Sequence, residues 1–133
     1  MQKVYPQHFE EKIGFDRIRA MLHKKCLSPM GSEWVDAMHF QDHFETISRH
    51  LGETNEFCRI IREVENFPSS HFYDLRNALQ KIRIEGRFLE AEELFDLKRS
   101  LEAVRAIVQF FQKQEEHVFP LLKKKTERVQ VFP

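Results

Sequence analysis

The feature that most constrains this chain is a run of apolar residues, Leu94, Leu97, Leu101, Val104, Val108 and Phe111, spaced alternately by three and by four. At 3.6 residues per turn that spacing puts all six side chains on one helical stripe, and it excludes a strand, whose apolar residues recur at every second position. The stripe covers only about two and a half heptads and is widened by Phe95, Ile107 and Phe110. A width beyond a strict two-position seam favours packing inside a helical bundle over a free coiled coil. The spacing predicts a long helix over about 90–114. A second long helix, about 42–64, carries Phe44, Ile47, Leu51, Cys58, Ile61 and Val64 on one stripe, with Thr54 in the missing place and Asp42 placed to cap it. Gly52 lies inside this helix at a cost of about 1 kcal/mol relative to Ala, and a local bend could form there.

Shorter elements fill the remainder. Phe15, Ile18, Leu22 and Cys26 share one face of a short helix from about Asp16 to Cys26. Ser28-Pro29 is a strong helix start: the hydroxyl can accept from free amides, and the fixed φ of proline suits the first helical position. The helix beginning at Pro29 is expected to turn Met30, Trp34, Val35 and Met38 inward and to end near His39 to Gln41. Pro68-Ser69-Ser70 breaks the chain, Asp74 restarts a helix through Leu75, Leu79 and Ile82, and Gly86 ends it. The fold class is therefore all-α: a multihelical bundle with two long helices in one helical domain spanning residues 1–133.

Composition bounds the function. Lys plus Arg and Asp plus Glu are both 21, so no net charge draws the chain toward nucleic acid or an acidic membrane. No apolar stretch approaches the roughly 18 residues that cross a bilayer, and Met1-Gln2-Lys3-Val4-Tyr5-Pro6 lacks the apolar core of a secretory signal. A cytoplasmic location without membrane contact is expected. Cys26 and Cys58 lie far apart within helical patterns, as buried, reduced thiols would.

The motifs of catalysis are missing from the sequence. His39 and His43 have the i, i+4 spacing of a metal pair, but a helix break falls between them and no third ligand stands at a telling distance. There is no GxSxG elbow, no cysteine paired with an activating histidine, no GxxxxGK[ST] loop, and Glu63 and Glu65 point to opposite sides of a helix. No catalytic, cofactor-binding or metal residue is assigned, and the chain is expected not to be an enzyme by itself. Basic residues are interleaved with acidic ones, in pairs such as Glu45 with Arg49 and Glu102 with Arg105. The candidates for nucleic-acid contact are Arg76, Lys81, Arg83 and Arg87.

Phe15-Asp16-Arg17-Ile18, Ser28-Pro29-Met30-Gly31 and the helix from Ile47 through Asn55 resemble the start of the core helical region of MutS-type ATPases. Asp74-Leu75-Arg76, Ala78-Leu79, Gly86, Phe88-Leu89 and Glu92-Glu93-Leu94 resemble the N-terminal region of the MutS paralogue that carries a C-terminal Smr domain. The resemblance covers about Phe15 to Leu94 and rests on packing and turn motifs, not on catalytic signatures. It implies a dimeric, DNA-binding ATPase that acts on branched DNA, limits homologous recombination and works at collided ribosomes. In that family the helical core joins the ATPase to a clamp arm. This chain would be an N-terminal fragment forming the first half of that core, with the ATP and Mg sites, the homodimer interface and the nuclease domain all beyond Pro133. The apolar ending Val129-Gln130-Val131-Phe132-Pro133 fits a boundary drawn through a longer protein, in which case some apolar positions assigned to the core would be exposed. The alternative is a stand-alone helical protein-interaction module that presents the Phe-rich stretch from Val104 to Phe119 to a partner helix.

Overall fold

The computed structural model describes residues 7–131, so the opening Met1–Pro6 and the closing Phe132–Pro133 read above lie outside the described residues. The described residues are helical with no strand, and the chain divides between Phe40 and Gln41 into two compact units.

The first unit holds α1 (Phe9–Lys12), α2 (Phe15–His23) and α3 (Pro29–Asp36). Gly14 joins α1 to α2 at φ 76°, a left-handed conformation open to glycine at little cost. Ser28 caps α3 as its sequence predicts: its Oγ accepts from the Gly31 amide at 3.1 Å, with Pro29 in the first turn. The segment after α3 is tied down by charge. Arg19 donates to Glu10 at 2.8 Å and to the Met38 carbonyl at 2.6 Å, while the other Glu10 oxygen accepts from the Phe40 amide. That clasp holds the Glu10 carboxyl below the usual carboxylate range, chiefly through the Arg19 hydrogen bond. Helix α3 stops at Asp36 rather than near His39 to Gln41, and only Val35 of the residues expected inward is buried. Trp34 is 77% exposed and Met38 is exposed too. A two-turn helix offers one narrow inward stripe, and Trp34 stands about 100° round from Val35.

The second unit holds α4 (Phe44–Glu63), α5 (Arg76–Lys81), α6 (Ala91–Lys113) and α7 (Pro120–Thr126). The two long helices match the predicted 42–64 and 90–114 closely, although His43, not Asp42, stands at the start of α4. Helix α6 opens on a reciprocal cap in which the Glu90 side chain accepts from the Glu93 backbone and the Glu93 carboxylate accepts from the Glu90 amide at 2.8 Å. Its apolar seam is buried only at its C-terminal end, Val108 and Phe111; Leu94, Leu101 and Val104 are exposed.

Helix α7, for which periodicity gives no sign, organises the core. It packs on both α4 and α6, and Phe119, the residue before it, is buried with Ile60 and Phe111. Rings gather around this point edge to face: Phe67 meets Phe57, Phe110 and Phe111 at centroid distances of 5.7, 5.1 and 6.3 Å, geometry that the ring quadrupoles favour. In the Val104–Phe119 stretch Val108, Phe111 and Phe119 are therefore buried and Phe110 partly so, and its phenylalanines are not free to meet a partner helix.

The inward face of α4 is also not the predicted one. Gly52, Glu56 and Ile60, four apart, face α7; Phe44, Leu51, Cys58 and Ile61 are exposed. Glu56 explains the choice. Its buried carboxylate accepts from the Leu121 and Leu122 amides at 3.1 and 2.9 Å, and those are first-turn amides of α7 that have no intrahelical acceptor. Arg59 adds a bond to the Val118 carbonyl at 3.2 Å and lies 5.1 Å over the Phe119 ring. Lys125 closes the far end on Glu53 at 2.6 Å. Helix α4 runs through Gly52 without interruption, and the glycine serves close approach: a Cβ there would lie 2.5 Å from Leu121 Cδ1. The thiols differ from expectation as well, Cys26 being half-buried and Cys58 exposed on the outer stripe.

Glu56→Ala is expected to cost about 2 kcal/mol, because it strands two half-buried amides, with Glu56→Gln losing less since one carbonyl oxygen still accepts. Gly52→Leu is expected to cost roughly 1–3 kcal/mol through overpacking against Leu121. Urea unfolding followed by far-UV circular dichroism measures both; a wild-type midpoint for Glu56→Ala would remove Glu56 as the anchor of α7.

Candidate nucleic-acid interface

The four basic residues singled out for nucleic-acid contact lie on α5 and the turn that follows it. Asp74 starts this region. Its Oδ1 accepts from the Arg76 amide at 3.2 Å, the kind of local side-chain bond that begins a helix, and α5 runs from Arg76 to Lys81. The helix is shorter than Asp74 to Gly86; tighter turns carry the chain onward, with the Arg83 and Ile84 amides bonded three residues back. Gly86, at φ 79°, then reverses the chain toward α6.

Two of the four residues are occupied. The Arg76 guanidinium grips the Asp74 carboxylate in a fork, Nε to Oδ1 at 2.8 Å and Nη2 to Oδ2 at 2.6 Å. This fork, with the backbone bond, lowers the Asp74 carboxyl to about 2. Lys81 reaches the opening turn of α6, 3.1 Å from Glu93 and 3.7 Å from Glu90. Glu93 is held below the usual carboxylate range first by the Glu90 amide and then by Lys81. Lys81 therefore fastens α5 to the cap of α6 and has little charge to offer a phosphate.

Arg83 and Arg87 are different. Both are exposed, and among the described residues neither has an ion-pair partner. They flank the Gly86 turn beside the exposed Ile84 and Phe88. This is a small basic corner, since a surface that tracks a backbone needs several cations along a groove. Across the remaining surface cations and anions alternate: Arg59 pairs with Glu63 at 3.5 Å and Lys98 with Glu102 at 3.8 Å, whereas Glu45 and Arg49 form no pair among the described residues. Arg99, on α6, is raised above its ordinary value chiefly by a hydrogen bond with Tyr73, a partner that spacing cannot reveal.

Among the described residues no group of three or more His, Cys, Asp or Glu is placed to hold a metal ion, and no helix is long and apolar enough to cross a membrane. Along α6 the exposed Leu94, Leu101 and Val104 and the half-buried Leu97, together with Val131, line a groove of about 300 Å³.

Because the Asp74 pKa is depressed, the Arg76 fork should be complete above about pH 4 and lost as pH falls through about 2. Carboxyl NMR is expected to show Asp74 titrating near 2 and returning toward 3.8 in Arg76→Ala. A wild-type midpoint near 3.8 would mean that the fork does not hold in solution.

No protein-family model matches this chain, and no solved structure matches it significantly. Curated proteins do. It is 27% identical over 123 residues to an Endonuclease MutS2 from Geobacillus sp. (strain WCH70), covering 91% of this chain. It is 24% identical over 127 residues, 96% of this chain, to the Endonuclease MutS2 of Streptococcus uberis. With that of Pelotomaculum thermopropionicum it shares 31% identity over 112 residues, 84% of this chain. The matched segment spans only 14% to 16% of those relatives' own lengths. Over most of its length, then, this all-helical chain is similar to a segment of the proteins named Endonuclease MutS2.

Proposed function

We propose that the chain is a non-catalytic helical core segment of a longer MutS2-type protein, working as a scaffold and lever between an ATPase and a DNA-embracing clamp. The observation that carries this reading is the similarity over 84% to 96% of the chain to proteins of which it spans about a sixth or less. ATP, Mg²⁺, the homodimer contact and any nuclease chemistry would belong to the rest of that protein. So would engagement of branched DNA or of ribosomes, and with it any suppression of homologous recombination in the cytoplasm.

The physics of the second unit supports a lever. Helices of 20 and 23 residues are about 30 and 35 Å long. Their coupling runs through α7, which packs on both and is pinned to α4 by the Glu56 carboxylate and Arg59. Two long helices joined through a wedge packed on both, with the buried Phe119 at its start, move together, and a displacement at one end reaches the other.

A second reading, a stand-alone helix-binding module, is favoured by the groove along Leu94 to Val104, whose size and apolar floor suit a partner's side chains. The natural reading frame separates the two: continuation into a P-loop ATPase supports the core segment, and a stop at Pro133 supports the module.

Two measurements test the lever. In the full-length protein, Glu56→Gln is expected to weaken ATP-dependent DNA or ribosome binding; unchanged nucleotide dependence would sink the mechanism. For the 133-residue chain, a salt-series titration against duplex, single-stranded and four-way-junction DNA is expected to give weak binding with a shallow salt slope. Arg83→Ala and Arg87→Ala should each lower that slope by about one, whereas Lys81→Ala should leave it alone. Tight junction binding with a steep slope would make this chain itself the principal contact surface.

A further inference from the structure

Helix α4 is built to be packed on two sides, and the second unit covers one of them. On one side Gly52, Glu56 and Ile60 meet α7, and Ile60 is fully buried. Roughly opposite, Phe44, Ile47, Leu51, Cys58 and Ile61 form a stripe with strict three-four spacing, Thr54 completing the register. Phe44 is 80% exposed, Leu51 and Ile61 65% each, and Cys58 is exposed as well. A helix on a protein's surface carries one stripe that meets a neighbour; a helix packed on one side and apolar on the other belongs inside a layer. Strict three-four spacing, sustained for nearly five turns, suits knobs-into-holes contact with another helix.

We infer that the Phe44–Ile61 stripe docks an amphipathic helix of the same polypeptide lying outside these 133 residues, an inference that rests on the chain's being a segment of a longer MutS2-type protein. The relatives supply the length: the matched segment is at most 16% of each of the three compared, which leaves ample chain to provide such a helix. Charge argues against a second copy as the occupant. The positions flanking the stripe are His43, Ser48, His50, Asn55, Phe57 and Arg62, with no acid among them. Parallel pairing would set His43 against Ser48, His50 against Asn55 and Phe57 against Arg62; antiparallel pairing would set His43 against Phe57 and Ser48 against Arg62, with His50 and Asn55 each against its own copy. Neither arrangement puts an acid opposite a base, so nothing in the flanks favours self-association. The docking helix would carry apolar residues at the same spacing and an acidic residue facing Arg62.

Cys58 is a native probe within the stripe, one step from its C-terminal end. Maleimide labelling, read by mass spectrometry of the Cys58 peptide, is expected to be at least tenfold slower in the full-length protein than in the 133-residue chain. Leu51→Asp should lower the Tm of the full-length protein and leave that of the shorter chain unchanged. Equal labelling rates would overturn the inference. Protection in the 133-residue chain that grows with its concentration would also overturn it, by making a second copy the occupant. A full-length protein that hydrolyses ATP while Cys58 stays reactive defeats this inference alone; a reading frame without an ATPase defeats the proposed function.

Discussion

The second unit depends on one buried charge. Seven-residue α7 cannot persist alone, because its nucleation cost exceeds what its few hydrogen bonds return, and its half-buried opening amides have no intrahelical acceptor. Glu56 answers both needs with two oxygens, and the positive end of the short helix dipole in turn compensates the carboxylate for leaving water. Gly52 brings the helices close enough for this contact, and Phe119 fills the space that remains with Ile60 and Phe111. That contact works with the Phe67 ring cluster, which also links α4 to α6.

The same contact explains where the basic residues can act. A core held at the α7 end leaves the N-terminal half of α6 and the α5 corner to be stabilised by surface electrostatics. Arg76 is spent on Asp74, and Lys81 on the cap of α6. Electrostatics here organises the chain's own turns. Of the four candidates, Arg83 and Arg87 remain outward.

Helix positions and types were legible because each leaves a local mark. The Leu94–Phe111 spacing marks α6, the Phe44–Ile61 spacing marks α4, and Ser28-Pro29 marks α3. Helix α7 carries the same proline signal at Phe119-Pro120, but its seven residues are too few for periodicity to register. Of the four candidate contacts, position alone could not tell that Arg76 and Lys81 would be occupied, since one partner stands two residues away outside the helix and the others lie across a turn.

What the sequence determined by itself is the all-helical class and the placing of two long amphipathic helices, because backbone period and hydrophobic spacing are local properties that hold wherever the helix is later packed. What only the tertiary structure decided is which face of α4 turns inward. Hydrophobicity alone favours Phe44, Leu51 and Ile61, and the structure buries Glu56 and Ile60 instead, with the half-buried Gly52 on the same face. The reason is that the free energy of a buried face is set by its partner. A carboxylate aimed at two orphaned amides and a glycine that admits close approach outweigh a more apolar stripe with nothing against it.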